Sequence, residues 1–260
     1  KLFLVLAEHG VAPRIVSGVT DWGGLRSILV RPGWDEIKTI VIDSGSKAEE
    51  WAAAWVLKNV PNEKGKVVER LEDYGYFKGY QHVYEAFCGL LNDLDVHVRA
   101  GRNVILVCHD CTSSVPNPAG DDWLRYEPRL QTSGTGKASI RLRVREWADH
   151  VLFLGYDLTV DDKKKGHGFG KRRIQPIERP HCMAKSRTLT ESLILEQWDI
   201  ALWQRMFSPA ASAEGVSSPL PPAGAPPASA SATDELLGTL CGIVVTHNIT
   251  DKVQAAWDAV

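Results

Sequence analysis

Three polar residues, Glu8, Asp43 and His109, each stand at the end of a strand-length apolar run. The carboxyl ends of parallel strands meet at one edge of an open α/β sheet, where such sheets bind ligands, so we expect these side chains to lie together. A carboxylate there can hold a Mg²⁺-bound water beside nucleotide phosphates, and a second can orient the attacking water. The pattern predicts phosphoryl-transfer chemistry, with Asp43 on Mg²⁺ through water, Glu8 as general base, and His109 and Ser44 sensing the γ-phosphate.

Other interpretations of these residues stay open. An aspartate at a strand end often only caps the next helix, which is the structural alternative for Asp43. A zinc site, and with it a zinc-dependent nuclease, is a third possibility, although Cys108 within an apolar strand more often behaves as a small hydrophobic residue. The residues concerned are Cys108, His109, Asp110, Cys111, His181 and Cys182.

A second group of residues is basic and aromatic. Between Arg125 and Arg145 there are six Lys or Arg and one acid, in a chain whose formal net charge is −2. Basic side chains neutralise nucleic-acid phosphates, and aromatic rings stack on bases. This pattern predicts contact with single-stranded DNA from a long loop over 110–136, or else a solvated loop followed by a basic helix face. The candidate DNA-binding residues are Trp123, Arg125, Arg129, Lys137 and Arg141.

The elements that must position these residues alternate between strands and helices. Short apolar runs predict buried strands over 2–6, 39–43, 104–109 and 151–156. Helices are predicted from Thr20-Asp21 to Val30, from a capping box at Ser46–Glu49 to Asn59, and over 78–99. The alternation predicts right-handed crossovers and a three-layer α/β domain with a mainly parallel sheet.

Composition excludes several classes of protein. The near balance of 30 Lys and Arg against 32 Asp and Glu excludes a globally basic nucleic-acid coat and an acidic disordered tail. No apolar run reaches the roughly 18 residues of a membrane-spanning helix. Five cysteines, an odd number, argue against a disulfide framework and for a reducing compartment such as the cytoplasm.

The predicted domain organisation has three parts. Residues 1–207 form the α/β core, and within them the segment 163–173 holds six Lys or Arg and three Gly, which is typical of a hairpin tip. In 208–233, 20 of 26 residues are Pro, Ala or Ser, so this segment buries too little apolar surface to fold and is predicted to be a linker. Residues 234–260 are predicted to form a small helical module, truncated at its end, that recruits a protein partner.

The order of three motifs resembles the RecA-type ATPase core. These motifs are AEHG, TIVIDS and VILVCHD, whose acidic and polar residues match the catalytic glutamate, the Walker B aspartate and the sensor. Further segments resemble the phage-encoded AAA-type nucleotide-binding proteins linked to single-strand annealing and recombination. They are YGYFKGY, DWLRYEPRL, VREWADHVLFLGY, GFGKRR and ERPHCMAKSR, and the resemblance covers about residues 1–195.

The resemblance implies ATP and Mg²⁺ as cofactors, single-stranded DNA as partner, a homo-oligomer, and the host cytoplasm as location. It also implies that basic residues reach the neighbouring subunit's γ-phosphate as an arginine finger, unless they contact DNA or form only an exposed hairpin tip. The candidates for this finger are Lys171, Arg172, Arg173 and Arg187. A non-catalytic DNA- or partner-binding module that keeps the fold without hydrolysis is the alternative function.

One motif of that family does not match. The family begins with a strand and a glycine-rich P-loop, whose amides and lysine cradle the phosphates. The nearest string here, Gly134–Ser139, has Gln131 in place of the first Gly and Ala138 in place of the Mg²⁺-binding hydroxyl, so we interpret it as a chance similarity. We therefore expect that the Walker A strand, loop and helix are missing before Lys1, that this chain alone binds ATP weakly, and that strand 104–109 lacks one neighbour.

Overall fold

The computed structural model describes residues 13–133, 137–160, 166–195 and 242–247. Its helices are α1 (Trp22–Leu29), α2 (Gly45–Asn59), α3 (Lys78–Arg99) and α4 (Ile140–Trp147), with a 3₁₀ turn at Leu71–Tyr74. Its strands are β1 (Thr39–Asp43), β2 (Asn103–Cys108), β3 (Asp110–Val115), β4 (Trp123–Pro128), β5 (His150–Val160), β6 (Gly166–Gln175), β7 (Leu193–Leu195) and β8 (Gly242–His247). Six strands form one sheet in the order β1-β2-β8-β5-β6-β7, and β3 and β4 form a separate hairpin.

The expectation of a mainly parallel sheet is wrong for the described strands. Among them only β1 and β2 run parallel, and every other pair is antiparallel. A parallel pair needs a long crossover, which α2 and α3 provide between β1 and β2. The short connection between β5 and β6 permits only an antiparallel pair.

One buried cluster joins all four helices to a single face of β1 and β2. Ile40, Ile42, Val104 and Leu106 point into this cluster, whereas Val41 on the opposite face is 54% exposed. The largest contribution from a helix comes from the apolar stripe of α3, which has helical spacing: Val83, Phe87, Leu90, Leu91, Leu94 and Val98. The described residues form a helical layer on a sheet, and the expected third layer is not found among them.

Two predicted helices are confirmed and the start of a third is shifted. Helices α1 and α3 lie where the capping and periodicity signals predict them. Helix α2 begins at Gly45, and its N-cap is Ser44, two residues before the predicted N-cap Ser46. The reason is that Ser44 has an extended backbone and its hydroxyl accepts a hydrogen bond from the Lys47 N–H at 3.2 Å, which makes it the N-cap.

The predicted loop over 110–136 contains the β3–β4 hairpin. Its strands pair in regular antiparallel register from Asp110 opposite Pro128 to Val115 opposite Trp123. The alternating burial of β3 shows that one face of the hairpin packs inward while the other is exposed. A structured arm, rather than an irregular loop, therefore follows β2.

The segment 234–260 also differs from its prediction in the residues described. Gly242–His247 form strand β8 rather than a helix, in keeping with the β-branched run Ile-Val-Val-Thr within them. Strand β8 pairs with β2 on the side away from β1, so β2 has a partner on both sides. The predicted strand 2–6 and the predicted linker 208–233 lie outside the described residues.

Candidate functional site

Parallel pairing brings Asp43 and the end of β2 to one edge of the sheet. Asp43 is the last residue of β1, is exposed, and stands opposite Val107 in the register of β2. His109 therefore follows about 7 Å beyond the level of Asp43, at about 3.3 Å per strand residue. The structure thus places two of the three predicted strand-end residues at the same edge, and Glu8 lies outside the described residues.

The Ser44 side chain is used as the N-cap of α2. Its side chain is buried and its oxygen accepts the Lys47 N–H, one of the N–H groups that a helix start leaves without an intrahelical partner. The residue beside Asp43, and not Asp43 itself, caps α2. The capping alternative for Asp43 therefore does not hold, and its carboxylate remains at the surface.

Ser46, in the first turn of α2, holds the end of β2 against the end of the hairpin. Its hydroxyl accepts a hydrogen bond from the His109 N–H at 3.1 Å and donates one to the Arg129 carbonyl at 3.0 Å. The Arg129 N–H in turn donates to the His109 carbonyl at 2.7 Å. Both backbone polar groups of His109 are thereby satisfied, which fixes its backbone at the end of β2.

Glu49, one helical turn after Ser46, makes the next contact with the same segment. Its Oε2 accepts the Gln131 N–H at 2.7 Å. Burial raises the pKa of the Glu49 carboxyl, and the Gln131 hydrogen bond together with Arg141 and Arg129 only partly offsets this. Sequence reasoning assigned Glu49 to a capping box and missed this contact, although the i, i+3 spacing from Ser46 puts both side chains on one helix face.

Arg125 and Arg141, two of the predicted DNA ligands, lie in an ion network that joins β4 of the hairpin to α4. Arg141 contacts the Glu127 carboxylate, and both side chains are less than 10% exposed. The Arg125 guanidinium also donates to Glu127, at 2.9 Å, and to Glu178, at 2.7 Å. Burial raises the pKa of the Glu127 carboxyl, but the two guanidiniums more than offset this, and the pKa lies below its ordinary value. Both guanidiniums are thus largely buried and already paired with carboxylates, which leaves them less accessible to a DNA phosphate than the other candidates.

The other three candidate DNA ligands remain at the surface. Trp123 is 41% exposed near the hairpin tip, and Lys137 is exposed where the chain enters α4. The Arg129 side chain is half-exposed and lies 3.5 Å from Glu50. The hairpin tip also carries Asp121 and Asp122, whose negative charge repels phosphate.

The predicted arginine-finger residues lie near opposite ends of the strands, some on the Asp43 side of the sheet and one on the other side. Strand β5 runs parallel to β2 because each is antiparallel to β8, so residues late in β5 lie towards the edge that carries Asp43. Arg172 lies over the Tyr156 ring there, at 3.6 Å from its centroid. Arg187 instead contacts Asp149 at 3.0 Å, at the start of β5, about 23 Å from Tyr156 along the strand. Arg187 therefore cannot act together with the others.

The remaining two members of that set lie on β6. Arg173 donates to Asp157 at 2.5 and 2.9 Å, and the neighbouring Lys171 is exposed. Both flank Arg172 and lie on the Asp43 side of the sheet.

The predicted zinc ligands do not form a site. In the part of the chain that the structure describes, no group of three or more His, Cys, Asp or Glu side chains is arranged to hold a metal ion. Burial raises the pKa of the Cys108 thiol to about 12 and that of Cys182 to about 11, so both stay protonated and apolar in character. The structure does not support the zinc-dependent nuclease.

Magnesium has different requirements. Mg²⁺ usually keeps several waters and takes one or two protein carboxylates together with substrate phosphates. A single exposed carboxylate, Asp43, at the edge of the sheet meets this requirement for a contact through water.

None of the described helices is both long and apolar enough to cross a membrane.

The parallel pair and its helical crossover give the described part of the chain an α/β fold, with Asp43 at the carboxyl edge of that pair. Residues 27–188 match the model of the AAA domain family, which is 162 of 260 residues. The chain therefore belongs to the AAA domain family, whose members are nucleotide-binding, ATPase-like P-loop proteins that typically use Mg²⁺. The match includes Asp43 and His109 and excludes Glu8. No curated protein and no solved structure matches the chain.

Proposed function

We propose that this AAA-domain protein binds Mg-ATP at the edge formed by Asp43 and His109. In its full-length form it hydrolyses ATP while acting on single-stranded DNA in phage recombination or annealing. The observation that carries the nucleotide site is the exposed Asp43 carboxylate at the same sheet edge as a histidine whose backbone is fixed by Ser46 and Arg129. A side chain on a backbone that is already held in place needs little rearrangement to meet a bound phosphate.

Each residue at this edge has a distinct task in the proposal. Asp43 accepts hydrogen bonds from the water on magnesium, and His109 contacts the terminal phosphate. Bound Mg²⁺ would neutralise part of the negative charge on the transferred phosphoryl group. Glu8 is the proposed water-orienting base, and the outer side of β1 has no partner strand among the described residues, which leaves room for a neighbour next to Asp43.

The proposed oligomer uses the same edge. Lys171 and Arg172, on β6, lie on the Asp43 side of the sheet and are the candidates for contact with a neighbouring subunit's nucleotide. The proposal leaves out Arg173, which is paired with Asp157, and Arg187, which lies at the opposite edge.

ATP turnover with and without an oligo-dT strand tests this function. We expect Asp43→Asn and Glu8→Gln to lower turnover about 100-fold while oligo-dT binding persists. Asp35→Asn is the matched control, because the Asp35 side chain is 97% exposed in the loop before β1. If the full-length natural protein binds DNA but neither binds nor hydrolyses ATP, it is a non-catalytic binding module and the ATPase proposal fails.

A further inference from the structure

Two consecutive aromatic residues, Tyr76 and Phe77, are almost completely exposed. Their exposed fractions are 94% and 81%, the largest of the exposed large hydrophobic residues in the described chain. Both have left-handed backbone conformations, with φ of 47° and 59°, which residues with a Cβ rarely adopt. Strained residues of this kind persist where the surrounding structure over-determines them, and they concentrate at ligand-binding sites.

The structure around the pair holds this conformation. Gly79, two residues on, has no room for a Cβ, which would lie 2.3 Å from the Leu71 carbonyl oxygen, so the start of α3 packs directly on the 3₁₀ turn. The Tyr80 hydroxyl contacts the Glu72 carboxylate across the same junction. The two exposed rings therefore project from a braced junction.

Basic residues flank the aromatic pair on two sides. On one side, an ion pair between Lys78 and Glu63 holds the turn that carries Lys64 and Lys66, both exposed. Three of the four carboxylates in 63–80 are engaged locally: Glu63 faces Lys78, Glu72 faces the Tyr80 hydroxyl, and Asp73 accepts the Arg70 N–H. The fourth, Glu69, is exposed.

The second basic flank comes from the segment after the hairpin. The Gln131 side-chain amide donates to the Tyr80 carbonyl at 2.9 Å and to the Ala138 carbonyl at 2.8 Å. This double hydrogen bond holds the exposed Lys137 beside the first turn of α3. Exposed rings between separated cations match the alternation of bases and phosphates in a single strand.

We propose that Tyr76 and Phe77 form a base-stacking site for single-stranded nucleic acid, with Lys137, Lys64 and Lys66 contacting its phosphates. This inference rests on the DNA-binding part of the proposed function and names a site for it. It is independent of ATP binding at Asp43.

The test uses Tyr76→Asn/Phe77→Asn, because asparagine tolerates the left-handed backbone while lacking a ring that stacks on bases. Binding of fluorescein-labelled dT30 without nucleotide is measured between 50 and 200 mM salt. We expect the double variant to bind at least about tenfold more weakly with an unchanged salt slope, since stacking carries no charge. Lys137→Ala should reduce the salt slope instead. Val96→Asn, an exposed apolar position near the other end of α3, should bind like the parent.

The double variant should have an unchanged or higher midpoint of urea unfolding, because it removes strain without removing buried surface. A lower midpoint with unchanged dT30 affinity would assign the pair a structural role and overturn the proposal. Unchanged dT30 affinity with altered sedimentation would make the pair a protein interface and also overturn it. If the parent binds ATP but no dT30, both the stacking site and the DNA part of the proposed function fail. If the parent binds dT30 but no ATP, only the ATPase proposal fails.

Discussion

The hydroxyl of Ser46 accepts a hydrogen bond from the backbone N–H of His109 at 3.1 Å, across the gap between the first turn of α2 and the end of β2. The same hydroxyl donates to the Arg129 carbonyl, so one buried side chain connects α2, the end of β2 and the exit of the hairpin. The proposed nucleotide edge and the hairpin arm are therefore parts of one hydrogen-bonded unit.

Ser46→Ala should destabilise the protein by about 1–3 kcal/mol, because it leaves the His109 N–H and the Arg129 carbonyl without their partner. Urea unfolding measures this, and hydrogen exchange at the His109 amide should accelerate. Ser44→Ala removes only the N-cap of α2 and should cost about 1 kcal/mol without affecting that amide. Equal exchange at His109 in both variants would contradict the assigned role of Ser46.

Glu127→Ala should be among the most destabilising single changes, at about 3–5 kcal/mol, because it leaves the buried Arg141 guanidinium without its carboxylate. Urea unfolding is again the measurement. Glu178→Ala is the matched control: its carboxylate pairs with Arg125 and Arg145 but is 38% exposed, so its loss should cost about 1 kcal/mol or less. If the two variants were equally stable, the buried network would not anchor the hairpin.

Stability should fall on acidification because of His97 and His150. Burial lowers the pKa of both imidazoles below the ordinary 6.5, so the folded state holds them neutral while the unfolded state binds protons first. Their contribution is present above about pH 6.5 and is lost as pH falls through the lower folded pKa values. The urea midpoint should therefore be lower at pH 5.5 than at pH 7.5.

His97→Gln is the informative variant for this pH dependence. The His97 Nε2 lies 2.8 Å from the Leu29 carbonyl oxygen, and a glutamine amide can donate to the same oxygen without titrating. The variant should lose less stability than the parent between pH 7.5 and pH 5.5. An identical loss in both proteins would show that His97 does not contribute.

The sequence predicted the local elements whose signals are strong and short-range. The apolar run before Asp43, the capping Asp21 and the stripe of α3 each determine one strand or helix through a local pattern, and each lies where expected. The position of β8 in the sheet could not be predicted, because its partners β2 and β5 lie far away along the chain. A short β-branched run favours a strand but does not indicate which strands it pairs with.

The candidate site was predictable only in part for a similar reason. The strand ends at Asp43 and His109 follow from the apolar pattern, but charge alone does not reveal which basic residues are neutralised. Arg125 and Arg141 look like DNA ligands in the sequence, but folding pairs them with Glu127, on β4, and Arg125 also with Glu178. Tyr76 and Phe77 lie in the segment YGYFKGY, which carries part of the family resemblance. Their exposure depends on a left-handed backbone, which sequence patterns do not reveal.

The most direct test is whether Asp43 makes nucleotide binding depend on magnesium. A fluorescent ATP analogue is titrated into the full-length natural protein, Asp43→Asn and Asp35→Asn, each with Mg²⁺ and with EDTA. We predict that Mg²⁺ strengthens binding at least about tenfold in the parent and in Asp35→Asn, and that Asp43→Asn loses this gain. An equal magnesium gain in Asp43→Asn, or no nucleotide binding by the parent, would contradict the proposed site.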